Sequence, residues 1–464
     1  MTEKKLKLTF GGGTNTVTGA NFLLENVSGG EGETQKFLVD CGLIQSTKLA
    51  DEDNWKDFQY EAKDIDILFI THAHIDHIGR IPKIIHDGFK GRIISTPPTK
   101  DIAHIMLEDT VAILSRSHEH DLNKIYTSES ISKAMALWET LPYHQVLDME
   151  GGFQFSFKDS GHILGSGMLE IVYRGEKIVF TGDLGNSPSP LLPDTESITD
   201  ADYLIMESVY GDRNHEDRAM RKKKLESIIE DNYKRKGTLI IPTFSLERTQ
   251  ELLYEINDFV ENERIPKMPI FVDSPLAIRL TVIYEKYKSY FNVEAQKRLT
   301  TDSDIFRFHG LRETVKTDES KDILHVPNPK IIIAGSGMSN GGRIIHHERN
   351  YLPDSNNTLL LIGYQSVGTL GRHIEDGAKT VSIMRDEVPV RAHIEKISGY
   401  SGHKDSDHLI QFVEATADRV KKVFVVMGEM KSELFLVQRL RDYLGVNAVA
   451  PEEGESVVLT FKNK

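Results

Sequence analysis

The segment Thr71-His72-Ala73-His74-Ile75-Asp76-His77 puts four side chains able to bind a divalent cation within six residues. Imidazole nitrogens and carboxylate oxygens are the donors that zinc and its neighbours take when thiolates are absent. A strand shows only every second residue on one face, so the four cannot share a strand face, whereas a tight loop can aim them at two adjacent metal positions. The preceding run DIDILFI reads as a strand, which puts the motif on a strand-end loop. Three more residues share that placement: Asp40 ends KFLVD, His162 lies in the glycine-rich SGHILGSG, and Asp183 ends KIVFTGD. Taken singly, an aspartate after a strand is usually a turn or cap residue. Taken with the histidine-rich loop, the three complete an ordered donor set. The single cysteine, Cys41, cannot form a disulfide within the chain or a thiolate metal site by itself, so histidines and carboxylates must hold any metal.

The elements that position these residues follow two patterns. From Lys5 to Met206, short β-rich runs recur (LKLTF, KFLVD, DILFI, GRIIST, FQFSF, KIVFTGD, DYLIME), with helical periodicity over Asp101–Leu114 and Ser128–Leu141. Between Glu207 and Ile394, the apolar runs GTLIIP, PIFVD, PKIIIAG and TLLLIGY read as buried parallel strands. Amphipathic helices such as Arg221–Lys234 and Arg248–Val260 lie near them. From Ser398 onward, KKVFVVMG and a helix near Ser432–Leu444 return to the first style. The pattern implies a second α/β domain inserted into a first, and 464 residues suffice for both. No apolar run reaches the roughly 20 residues of a membrane helix, and MTEKKLKLTF leads straight into strand-like sequence, so a cytoplasmic protein with no membrane partner is expected. The net charge of −14 argues against a generally basic nucleic-acid binder. The excess lies almost wholly outside residues 207–394, however, and includes candidate metal ligands whose cations would reverse the local sign.

This donor set closely resembles that of the metallo-β-lactamase superfamily, and the continuation resembles its β-CASP branch of nucleic-acid hydrolases. The nearest pattern is that of stand-alone bacterial and archaeal relatives of the pre-mRNA 3′-end endonuclease. The resemblance implies an α/β fold: a metallo-β-lactamase αββα sandwich from residues 1–206 and 395–464, with the β-CASP domain, residues 207–394, inserted. It implies that His72, His74 and His162 bind one zinc and Asp76 and His77 another, with Asp183 bridging and Asp40, no direct ligand, orienting the loop or the bridging hydroxide. Glu207 in IMESVYGDR fits the acidic motif opening the insert, His373 in GYQSVGTLGRHI fits a histidine late in it, and His403 in SGYSGHKD fits a last ligand to the second zinc. VVMGE departs from the pattern, because the family usually has histidine where Met427 stands.

The resemblance further implies a ribonuclease with two zinc ions, or manganese in their place, acting on single-stranded RNA. A hydroxide shared between the metals would leave 5′-phosphate and 3′-hydroxyl ends, by endonuclease action with or without 5′-to-3′ exonuclease action. His373, held in the right tautomer by Glu207, is the expected proton donor to the leaving oxygen. Backbone N–H groups of AGSGMSNGGR, at Ser336 and Gly337, with Arg343 and with Ser401 beside His403, are candidate phosphate contacts. His346, His347 and His408 read as ordinary helix residues, and Cys41 as a small buried one. A homodimer is compatible with the sequence. Two other readings stand beside this one: a small-ester, thioester or lactam hydrolase of the same superfamily, which would not need the insert, and an inactive RNA-binding subunit, which would typically lack some of these ligands.

Overall fold

The computed structural model describes residues 5–27, 35–45, 52–115, 121–215, 220–366 and 368–461. Two compact units emerge. The first comprises 1–187, 194–214 and 402–464, and the second 188–193 and 215–401.

The first unit is built on two seven-stranded sheets. One runs in the order Ser456–Thr460, Lys5–Gly12, Asn21–Asn26, Lys36–Val39, Ile67–Phe69, Arg92–Ser95, Trp138–Thr140. The other runs Ala448–Val449, Lys422–Val425, Tyr203–Met206, Glu176–Phe180, Gly167–Tyr173, Phe153–Asp159, Leu147–Met149. In each, a block of antiparallel pairs joins a block of parallel ones. The alternation in FQFSFKD explains the packing: Phe153, Phe155 and Phe157 turn inward while Gln154, Ser156 and Lys158 turn outward. Inward rings from the first sheet, Phe10, Phe22, Phe37 and Phe69, meet Phe153, Phe155, Phe157, Phe180 and Phe424 of the second in one core. The outer face of the second sheet is covered by Leu409, Phe412 and Val413 of the helix Ser406–Glu414 and Leu436, Val437 and Leu440 of Met430–Leu444. Phe155 stacks edge-on to Phe37 with ring centres 5.0 Å apart and lies 4.6 Å from Phe69. Phe155→Ala is therefore expected to destabilise this unit by about 3–5 kcal/mol, read as a lower urea midpoint for the core transition.

The second unit carries a six-stranded, all-parallel sheet in the order Leu311–Glu313, Ile270–Asp273, Lys330–Ala334, Thr238–Pro242, Thr358–Ile362, His393–Ile397. Its central strands are buried along their whole length, as expected of strands covered on both faces. Among the described residues no helix is long and apolar enough to cross a membrane.

The units divide at 214/215 and 401/402, where the sequence reading placed 206/207 and 394/395. The later boundary moves because His393–Ile397 pairs along five residues with Thr358–Ile362. Residues 188–193 join the second unit through the Leu191 carbonyl, which accepts the Asn292 N–H at 2.8 Å. The helix expected over Ser128–Leu141 stops at Ala136. Trp138 instead enters an edge strand, buried, with its indole N–H on Ser95 Oγ at 2.9 Å.

Candidate metal centre

All seven candidate metal ligands and Asp40 belong to the first unit, and all but His403 follow the ends of its strands; His403 follows the short helical turn Ser398–Tyr400. After the strand Lys36–Val39, Asp40 takes a left-handed backbone conformation (φ 60°) and fastens the neighbouring loop. Its Oδ1 accepts the Thr71 N–H at 2.8 Å, and its Oδ2 accepts the Thr71 hydroxyl and the His77 Nδ1–H, each at 2.8 Å. The histidine-rich segment is a loop running into a single helical turn, Ile75–Ile78. It packs so closely on the Asp40 loop that a Cβ at Gly42 would lie 1.5 Å from the Asp76 carbonyl oxygen, so only glycine fits there. The His162 loop is closed by Ser166, whose hydroxyl accepts the His162 N–H at 3.0 Å. It presses on the Asp183 loop so tightly that a Cβ at Gly185 would lie 1.9 Å from the Gly161 oxygen.

Among the described residues the donors fall into three groups: His72, His74, His162 and Asp183; Asp76, His77 and Asp183; and Asp183, Glu207 and His403. In the first, His72 Nε2 and His162 Nε2 stand 3.1 and 3.2 Å from His74 Nδ1 and 3.4 Å each from Asp183 Oδ2. Bond lengths of about 2.0–2.1 Å around a tetrahedral zinc require donor separations of about 3.4 Å, so this group fits one ion. Asp183 turns its other oxygen, Oδ1, to His77 Nε2 at 3.4 Å, and His77 Nε2 lies 3.8 Å from Asp76 Oδ2. His77 Nε2 and Asp183 Oδ1 are buried with no hydrogen-bond partner, an arrangement that is costly unless a cation lies between them. The donor set therefore suits divalent cations, with Asp183 common to its groups.

The remote nitrogens of His77, His162 and His72 are tied back, as is usual for metal-binding imidazoles. His77 Nδ1–H is held by Asp40, His162 Nδ1–H by the Gly402 carbonyl at 3.1 Å, and His72 Nδ1–H by Thr71 Oγ1 at 3.1 Å. Burial, reinforced by neighbouring imidazoles, holds His74 and His162 well below the usual histidine range, leaving lone pairs free to donate. Burial pushes the other way on Asp183, but His77 and His72 outweigh it and keep the carboxyl well below its ordinary range.

Glu207 and His403 form a separate pair. His403 Nδ1–H donates to Glu207 Oε1 at 3.1 Å and stands 3.9 Å from Asp183 Oδ2. Burial alone would lower the His403 pKa, but Glu207 and then Asp183 raise it to about 9. The same Glu207 oxygen accepts the Leu184 N–H at 2.6 Å. The sequence reading paired Glu207 with His373 and gave His403 to the second metal. In the structure Glu207 takes His403, and His403 falls with Asp183 and Glu207 instead of with Asp76 and His77.

His373 is exposed on the short helix Leu370–Glu375 of the second unit. The loop after Lys330–Ala334 is tightly folded there too. Ser336 Oγ accepts the Asn340 N–H at 3.1 Å, and Gly337 backs onto Phe244. Arg343, expected beside phosphates, places its guanidinium on Asp273 at 2.6 Å and on the Thr314 and Val315 carbonyls at 2.8 and 2.7 Å. Ser401 is buried. His347 is buried against Asp273 at 2.7 Å, His346 is exposed, and His408 is exposed with Nδ1 on Asp405 at 2.6 Å. Burial pushes the Cys41 thiol up to about 12, so it is no nucleophile. Thr71, which links Asp40 to His72, was not singled out from the sequence. Its only signal there is a hydroxyl between a strand and the first histidine.

Three family models match the chain. One described as a metallo-beta-lactamase superfamily domain covers residues 31–202, a Beta-Casp domain covers 249–374, and a Zn-dependent metallo-hydrolase RNA specificity domain covers 387–451. The chain is 33% identical over 446 residues to a ribonuclease of Thermus thermophilus, spanning 96% of this chain and 98% of that protein. It is 32% identical over 430 residues to an RNase J-like protein of Methanocaldococcus jannaschii, covering 91% and 94% of the two chains. It is 26% identical over 475 residues to a transcription termination factor of Methanosarcina mazei, covering 98% of this chain and 72% of that one. A solved structure of a protein of unknown function from Enterococcus faecalis shares the fold, with a TM-score of 0.59 at 13% identity over 98% of this chain and all of that one. The donor groups sharing Asp183, the three domain models in their order along the chain and the full-length likeness to the Thermus protein together make this chain a member of the β-CASP family of metallo-β-lactamase-fold, metal-dependent hydrolases.

Proposed function

We propose that this protein is a cytoplasmic, zinc-dependent ribonuclease that hydrolyses single-stranded RNA to 5′-phosphate and 3′-hydroxyl ends. The observation that carries the reading is Asp183, whose two oxygens face two adjacent donor groups. RNA as the substrate class is supported by the relatives named as ribonucleases and by the match to an RNA specificity domain. Two cations held by His72, His74, His162, Asp183, Asp76 and His77 would lower the pKa of a water and stabilise charge on the phosphate.

The protein's own residues do the rest. Asp40, through Thr71 and His77, keeps the histidine-rich loop in register. The leaving 3′-oxygen needs a proton, and a donor must be protonated at working pH and held in one tautomer. His403 is held in one orientation by its Nδ1–H donated to Glu207, beside Asp183, whereas His373 rests on the family resemblance alone. We therefore assign the proton donor to His403, with the exposed His373 as a candidate RNA contact.

Digesting a circular RNA beside linear RNAs with 5′-hydroxyl, 5′-monophosphate and 5′-triphosphate ends tests the reaction. The expected result is cleavage of circles and linear RNAs with 5′-phosphate products, and little action on DNA. Products ending in 2′,3′-cyclic phosphate would show attack by the ribose hydroxyl and overturn the mechanism.

A further inference from the structure

We propose that the two metal positions are unequal: the four-donor position retains zinc, while the three-donor position formed by Asp76, His77 and Asp183 exchanges its ion and accepts manganese from the medium. The proposal rests on the metal-dependent reading above and deepens it.

The asymmetry lies in the donors themselves. His72, His74, His162 and Asp183 close a tetrahedral set, whereas the second group has three members among the described residues, and His403 belongs with Glu207 and Asp183. Its Asp76 donor also stands further off, 3.8 Å from His77 Nε2, and the Asp76 side chain is 17% exposed. An open position of two carboxylates and one imidazole is oxygen-rich, and that suits manganese as well as zinc. Met427 lies close by: it lines a cavity of about 10 Å³ together with Asp40, Thr71, His77 and Glu207, and it offers that cavity no nitrogen or oxygen donor. A thioether is a soft ligand ill matched to either ion. Its sulfur, moreover, abuts Gly13, where an added Cβ would lie 2.6 Å away. Met427 also holds a left-handed backbone (φ 50°), a conformation histidine adopts more readily than most residues. Losing even an outer partner of a metal ligand typically costs about 10–100-fold in affinity, so a missing direct donor should cost at least about tenfold.

The test is metal content read without reference to activity. Full-length protein dialysed against a weak chelator should retain close to one zinc per chain by mass spectrometry of the metals. Added manganese should then bind at one further position, read by electron paramagnetic resonance, with the zinc still present. Asp76→Asn should abolish the manganese signal and keep the zinc, and Met427→His should make the dialysed protein retain close to two zinc ions. Two zinc ions retained by the unaltered protein after the same dialysis would overturn the inequality while leaving the ribonuclease reading intact. So would an Asp76→Asn protein that loses zinc while keeping manganese. Protein that binds neither ion would overturn the metalloenzyme reading itself.

Discussion

Asp183→Ala is expected to lose metal and RNA cleavage together, because Asp183 is the one residue common to all three donor groups. Its Oδ2 lies 3.4 Å from both His72 and His162, and its Oδ1 faces His77 at 3.4 Å. Removing it leaves buried imidazoles converging on each other with no fixed negative charge between them, so both ions should bind far more weakly. The ions would supply several kcal/mol of charge stabilisation, and cleavage should accordingly fall by on the order of 10³-fold or more. Metal analysis and cleavage assays on the same preparation check this, with circular dichroism confirming that the sheets are intact. A variant that keeps its full metal content and cleaves normally would remove Asp183 from the site.

The second large effect separates the two candidate proton donors. His403→Ala should keep the zinc held by His72, His74, His162 and Asp183, and lower RNA cleavage by roughly 10²–10⁴-fold. Glu207→Gln should show a milder loss in the same direction, since it weakens the hydrogen bond that fixes the His403 tautomer. On an aryl phosphodiester, whose nitrophenolate leaves without a proton, the His403 variant should be much less impaired. His373→Ala should raise the KM for RNA while leaving kcat at saturating RNA and turnover of the aryl substrate little changed, as expected of a residue that only binds RNA. A fall in kcat at saturating RNA that spares the aryl substrate, seen in His373→Ala and not in His403→Ala, would exchange the two roles. Loss of metal from His403→Ala would return His403 to the ligand set that the sequence implied.

Much of this site was legible in the sequence because metal chemistry restricts residue type and spacing so sharply. His72, His74, Asp76 and His77 crowd one strand end, and no disulfide or thiolate alternative exists, so a histidine and carboxylate centre followed directly. The strands that carry Asp40 and Asp183 were also visible as apolar runs ending in a polar residue, since burial of a strand and exposure of its end are local properties. The strand Ser456–Thr460 was not, because its identity comes from pairing with Lys5–Gly12 at the other end of the chain. Trp138 likewise left a helical pattern for a sheet edge, where its ring could be buried and its N–H satisfied. The same limit applied to the partners of the site. That Glu207 holds His403, that Arg343 turns to Asp273, and that Met427 sits against Gly13 beside His77 are facts of direction and distance between residues far apart in sequence. Residue type fixes which bonds a side chain is able to make. Which of them it does make depends on what the fold brings within about 3 Å of its polar atoms, and only the tertiary structure decides that.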